Sequence, residues 1–368
     1  MSLQKEIDDK AKEIQTDSYP MSIGELINMY RDEELEVHPE FQRFFRWSDG
    51  QKSKFIESIL LGIPIPPIFV AQGEDGVWDV IDGLQRLSTI LEFVGILKSK
   101  RGEIMPPSKL QATEFLPSLE GKVWDNPYDA QNSFTREQRI NFKRAKLDIN
   151  IIKRSSDKDA KYELFQRINS GGTKLSEQEL RNCLLIMLDK DFYHWAKELC
   201  EFEPFRDCIP LSERLLAERY DMEMVMRFLV CRHVDLTEIK GNEDINDFIT
   251  EQIIKIIEGK KLEQEQEMQI FKETFTYLNT LLAEDSFKKF DSDKEQFKGP
   301  FLISSFEALV VGVSENLSSL RKMQDQEAID IIKGIYKSPE FLDITKRNIR
   351  PISRLKELTI NSRRVFGE

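Results

Sequence analysis

The sequence predicts an α+β domain over residues 1–155 followed by an all-α domain over 156–368. Two kinds of pattern lead to this. Short β-branched or alternating runs, VWDVI at Val77–Ile81 and LDINIIK at Leu147–Lys153, are confined to the first part, and such runs suit a pleated, half-buried surface. Beyond them, apolar residues recur at helical spacing almost to the end of the chain. A third observation joins strand to helix: IDGLQR, Ile81–Arg86, sits where a strand pattern gives way to Leu87, Ile90, Leu91 and Val94 on one helical face.

The elements follow in order. Residues 1 to about 20 read as a polar lead-in helix, Ser22–Tyr30 as a short helix and Leu35–Val37 as a strand. Ser48 and Gln51 form a capping box for a helix with Phe55, Ile56, Ile59 and Leu60 on one face, stopped by Gly62 and Pro64. Ile63–Gln72 contains Pro64, Pro66 and Pro67, so it is expected to be an edge strand or to begin as one. Residues 100–135 carry four prolines and read as loops. Helices are expected at 158–168, 176–190 (with a capping box at Ser176 and Glu179), 191–200, 213–233, 244–258, 263–283, 301–317, 325–335 and 339–347.

The composition is that of a globular protein, with 40% hydrophobic and 32% charged residues. No apolar run approaches bilayer-spanning length, and the polar first residues carry no apolar signal region, so a cytoplasmic protein without a membrane partner is expected. Cys183, Cys200, Cys208 and Cys231 are far apart and read as reduced core residues. The net charge of −12 argues against coating DNA through bulk charge. Local contact remains open, because Lys346–Arg364 holds many cations and one acid, Glu357. That run is either a solvated surface or a phosphate contact. His38, His194 and His233 show no metal-ligand spacing, and neither a P-loop nor a nucleophile elbow is present.

The turn Asp82-Gly83-Leu84-Gln85-Arg86 is the principal candidate site. Glycine lets the backbone approach a ligand, and the N–H groups of a helix start favour an anion. Arg86 adds a fork-shaped cation suited to phosphate. The plain alternative is an ordinary strand-to-helix turn with Arg86 in solvent. Two further stretches place polar residues beside aromatics: FQRFFRW at Phe41–Trp47 and FQRINSGG at Phe165–Gly172.

Together, Phe41-Gln42-Arg43…Trp47, the GIPIPP run Gly62–Pro67, Asp82–Arg86 and Phe165–Gly172 resemble the ParB-like N-terminal domain family of the GmrSD modification-dependent restriction enzymes. The four boxes match in order from about residue 20 to about residue 190. Leu84 departs from the family, which more often has Gln there. The resemblance implies a ParB/sulfiredoxin-like first domain that sets a G-x-x-R turn against nucleotide phosphates. It also implies a part in nucleotide-dependent defence against phage and modified DNA. The implied cofactor is a nucleoside triphosphate, with or without Mg²⁺, and the implied partners are DNA or another protein of a defence system.

On this reading Gly83, Gln85 and Arg86 grip phosphate while Gln42 and Arg43 close the site. Each residue has a structural alternative. Gln42 and Arg43 either meet the ligand or cap the next helix and pair with Asp49. Asp82 accepts bonds in its own turn, holds Arg86 or binds Mg²⁺; Asp82 and Arg86 are the candidate catalytic pair for triphosphate hydrolysis. Asn169 either leaves a helix with positive φ or reaches the nucleotide. The FQRINSGG box then has to return to the first domain. Members of the family often continue into an HNH nuclease half, but His194 and His233 lie inside helical patterns and no such half is recognised. The competing functions are a catalytically silent DNA- or protein-binding module and a ParB-like nuclease.

Overall fold

The computed structural model describes residues 3, 16–37, 47–73, 75–99, 102–153, 176–259, 262–346 and 349–367. The chain forms two compact units, Met1–Lys174 and Leu175–Glu368. The expected boundary near 155 falls at the start of 154–175, which lies outside the described residues, as do the expected helix at 158–168 and the FQRINSGG box.

The first unit is α+β. Its described elements are β1 (Thr16–Ser22), α1 (Ile23–Arg31), β2 (Leu35–Glu36), α2 (Asp49–Leu61), β3 (Ile68–Gln72), β4 (Trp78–Asp82), α3 (Leu84–Val94), α4 (Arg136–Arg144) and β5 (Lys146–Ile152). The sheet is mixed, with strand order β1-β5-β3-β4-β2. β1/β5 and β3/β4 are antiparallel, while β3/β5 and β2/β4 are parallel.

Two expectations change here, and one element is added. Residues 16–20 belong to a strand rather than a lead-in helix, because β5 offers TDSYPMS a seven-residue antiparallel partner. β3 lies in the middle of the sheet rather than at its edge. The prolines all precede Ile68, so the ladder loses no N–H donor. In addition, α4 occupies residues 136–144, between the stretch read as loops and the strand at 147–153, where the sequence reading placed no element. Thr135 and Gln138 cap it reciprocally, but Phe142 is its only buried residue, so its apolar periodicity is faint.

Side chains alternate across the strands, so Ile68, Val70, Val80, Leu147, Ile149 and Ile151 share a face. They join Ile23, Leu26 and Ile27 of α1, Ile56 of α2 and Leu87, Ile90 and Leu91 of α3 in one core. Phe93, Phe134, Phe142 and Trp124 pack edge to face at the end of this core and anchor the loop that precedes α4. A second anchor is the buried Glu57, whose Oε1 accepts from the N–H groups of Phe115 (3.0 Å) and Leu116 (2.9 Å).

The second unit is helical, with one correction to the all-α expectation. Its elements are α5 (Glu177–Leu188), α6 (Lys190–Cys200), α7 (Glu203–Cys208), α8 (Glu213–Ala217), α9 (Tyr220–His233), α10 (Ile245–Gly259), α11 (Gln264–Leu282), β6 (Lys289–Asp291), β7 (Gln296–Lys298), α12 (Ile303–Leu320), α13 (Asp325–Lys337), α14 (Pro339–Ile344) and α15 (Pro351–Gly367). The β6/β7 hairpin pairs Phe290 with Phe297 and places Phe297 edge-on to Tyr336. The single helix expected over 213–233 is broken at Arg219, which takes a left-handed φ of 60°. At α12, a Cβ on Gly312 would fall 2.1 Å from Phe366 Cδ2, so only glycine lets α15 approach this closely. The Gly312 N–H donates to Ser362 Oγ at 2.9 Å across that contact.

All four cysteines are free and buried, and burial pushes their thiols upward, to about 12 for Cys208 and Cys231. No helix among the described residues is long and apolar enough to cross a membrane.

Candidate functional site

The turn after β4 is built by three local features. In the β3/β4 ladder Phe69 faces Asp82 and Val70 faces Val80, so Ile81 is the extra residue of a bulge. Gly83 then takes φ 93°, ψ 12° and becomes the N-cap of α3. A side chain at Gly83 is excluded twice, by the positive φ and by Ile68, whose Cγ1 would lie 2.9 Å from an added Cβ. The glycine therefore lets the start of α3 rest directly on the start of β3.

Arg86, one turn into α3, fastens this arrangement. Its Nη2 donates to Asp82 Oδ2 at 2.7 Å. Its Nη1 donates to the carbonyl oxygens of Pro67, at 3.0 Å, and of Pro66. The arginine side chain is 12% exposed and the aspartate 35%. Thus Arg86 ties the end of β4 to the proline segment entering β3. It is not in open solvent, and Nε and one Nη2 hydrogen lie outside these bonds. Charge is balanced locally because Asp82 and Arg86 neutralise each other.

The helix start differs from its neighbours. Ser22, Ser48 and Thr135 each accept a first-turn N–H of α1, α2 and α4. Gly83 brings no such oxygen, and no acidic residue occupies the first turn of α3. Further along α3, Glu92 meets Lys52 of α2 at 2.9 Å, with both side chains 11% exposed, and this pair holds the two helices together.

Of the residues expected to form the site, Asp82, Gly83, Gln85 and Arg86 are together on this turn. Gln85 is half-buried, and its carbonyl accepts from Thr89 Oγ1 at 2.7 Å. Gln42, Arg43 and Asn169 lie outside the described residues, and so does His38. The acceptor role of the Pro66 and Pro67 carbonyls was not foreseen. Its signal in the sequence is the adjacent proline pair, which supplies carbonyls before the ladder begins.

Within the C-terminal basic run, several described cations meet oxygens of the second unit, at positions that range from part-buried to exposed. Arg354 donates to the fully buried Glu307 at 3.1 Å, Arg363 pairs with Glu315 at 3.1 Å and Arg364 with Glu340 at 3.0 Å. Lys346 pairs with Asp343 at 2.6 Å, and Lys356 donates to the Ile239 carbonyl at 3.3 Å. These cations are committed to the second unit's own oxygens, while Ile352, Leu355 and Leu358 of α15 are buried in its core. His233 is likewise structural, 3.2 Å from Glu267. Among the described residues no group of His, Cys, Asp and Glu is arranged to hold a metal ion.

The family described as GmrSD restriction endonuclease, N-terminal domain, matches residues 23–186. This segment is a GmrSD N-terminal domain. The match includes β2 to β5, the Asp82–Arg86 turn and most of α5. The GmrSD N-terminal domain relates the chain to restriction systems. No curated protein and no solved structure matches the chain.

Proposed function

We propose that the GmrSD N-terminal domain binds the phosphates of a nucleoside triphosphate at the Asp82–Arg86 turn and serves as the sensing or regulatory part of a DNA-defence system. The observation that carries this reading is the opening of α3. A left-handed glycine starts the helix, this N-cap residue has no side chain with which to cap the first turn, and Asp82 and Arg86 form a neutral pair at the same turn. Backbone N–H groups at a helix start favour an anion. The neutralised carboxylate removes the repulsion that a bare Asp82 would exert. Arg86 holds the turn in shape and presents its Nε side to the ligand. Asp82, paired in this way, orients Arg86 rather than abstracting a proton, so binding is the primary activity and hydrolysis is secondary to it.

A second reading has its own support. Because Arg86 already bonds to three protein oxygens, the turn also suits a purely structural role in a catalytically silent module.

A thermal-shift screen of nucleoside triphosphates, with and without Mg²⁺, separates the two. Ligand at about a hundred times Kd stabilises the folded state by about 2.7 kcal/mol. Gly83→Ala should abolish that shift, because the added Cβ forces the start of α3 away from Ile68. If no triphosphate moves the wild-type transition, the nucleotide reading fails and the silent module stands.

A further inference from the structure

The chain carries a second cluster of cations, and unlike the C-terminal run it is not neutralised. Residues 136–146, covering α4 and the first residue of β5, hold Arg136, Arg139, Lys143, Arg144 and Lys146 against one acid, Glu137. In a chain with 53 basic and 65 acidic residues this is a local reversal of sign. Arg139 pairs with Asp125 at 2.6 Å. Arg136, Lys143, Arg144 and Lys146 are exposed and make no ion pair among the described residues. The spacing 136, 140, 143, 144 puts Arg136, Lys143 and Arg144 on one side of the helix. Phe142 faces the core on the other side. The helix dipole accounts for cations in the last turn, Lys143 and Arg144, but opposes Arg136 at the first position.

The loop that precedes α4 carries an exposed aromatic on a braced backbone. Tyr128 is 97% exposed. Its N–H donates to Asn126 Oδ1 at 3.0 Å. The Asn126 N–H donates to Ser133 Oγ at 2.8 Å, and Asn132 Nδ2 donates to Asp129 Oδ2 at 2.7 Å. The loop is joined to α4 through Arg139, which reaches Asp125, and through Lys143, whose Nζ lies 5.9 Å from the Trp124 ring centre. Trp124 packs in turn on Phe93 and Phe142.

We propose that the outer face of α4, together with Tyr128, is a nucleic-acid contact surface that takes single-stranded or locally unpaired DNA. Arg136, Lys143 and Arg144 meet successive phosphates, and Tyr128 stacks on an unpaired base. A cationic track beside an aromatic platform is the combination that binds single strands, where phosphate contacts supply affinity and every base offers a π-face. The Asp82–Arg86 turn plays no part in this surface.

The test uses the full chain and a fluorescently labelled single strand of about 15 nucleotides, the scale of one single-strand site. Anisotropy titrations run from about 50 to 200 mM salt, where phosphate contacts dominate the salt dependence. The wild type should bind with a steep salt dependence. The triple variant Arg136→Gln/Lys143→Gln/Arg144→Gln should flatten the log–log slope by about two units, at about 0.7 per single-strand contact. Tyr128→Ala should weaken binding roughly five- to a hundredfold with the slope unchanged. Circular dichroism of both variants should match the wild type, since every altered side chain is exposed. The proposal is overturned if the wild type binds no single strand at low salt, or if the triple variant binds with wild-type affinity and slope. Equal binding by Tyr128→Ala, or tighter binding to the corresponding duplex, overturns the assignment to unpaired DNA.

Discussion

Replacing Arg86 by alanine removes three bonds at one point in the first unit, and the structure sets the size of the effect. The side chain is 12% exposed, so its guanidinium is largely withdrawn from water. Its hydrogen bonds to the Pro66 and Pro67 carbonyls carry a charged donor, and such bonds contribute about 1.5–3 kcal/mol each. They share one nitrogen, and Pro66 is exposed, so its carbonyl regains water on deletion. Together they count as little more than one bond. Asp82 is 35% exposed, which limits the ion pair to at most about 1 kcal/mol. The net loss is therefore about 2–4 kcal/mol. Three of the four tryptophans, Trp47, Trp78 and Trp124, belong to the first unit, so urea unfolding followed by fluorescence reports on it. With a slope of about 2 kcal/mol per molar urea, the midpoint should fall by about 1–2 M. Arg86→Lys should lose nearly as much, because a point-charge ammonium cannot reach Asp82 and both carbonyls with one planar fork. A midpoint within about 0.2 M of wild type for Arg86→Ala would show that these bonds contribute nothing net and would refute the reasoning.

Two predictions concern the second unit. Arg227, which is 4% exposed, bridges Glu223 at 2.9 Å and the fully buried Glu307 at 2.7 Å, so Arg227→Ala leaves two carboxylates without their shared cation and should cost about 3–5 kcal/mol. Near-ultraviolet dichroism during urea unfolding measures this, and a loss below about 1 kcal/mol would mean that Arg354 alone suffices for Glu307. Burial raises the carboxyl of Glu267, but hydrogen bonds from His233 and Arg232 and the charge of Arg232 outweigh it, so the folded value lies below the ordinary one. Its contribution is then fully present above about pH 4.3 and is lost as pH falls through the folded value, so Glu267→Gln should flatten the acid limb of the stability curve below that point. Denaturation measured across that range would count against this if mutant and wild type lose stability with the same slope.

Much of both units was legible because the signals are local. Capping pairs such as Ser48 with Gln51 and Ser176 with Glu179 lie within one turn, and both form. Gly62, Gly83 and Gly95 take positive φ at the helix ends where a strand-turn-helix reading needs them. What the neighbouring residues alone could settle, the sequence therefore determined: helix starts and stops, the β4–α3 turn and the grouping of Asp82, Gly83, Gln85 and Arg86. The rest depended on partners distant in the chain. TDSYPMS became a strand because Lys146–Ile152 paired with it, and β3 became central because strands from both directions joined it. Arg354, Arg363 and Arg364 of the C-terminal run pair with Glu307, Glu315 and Glu340, which only folding brings beside them. Arg136, Lys143 and Arg144 of α4, whose helical pattern rests on a single buried phenylalanine, stayed exposed. Charge read along a chain counts residues, whereas the charge a partner meets is what remains after long-range pairing, and only the tertiary structure performs that subtraction.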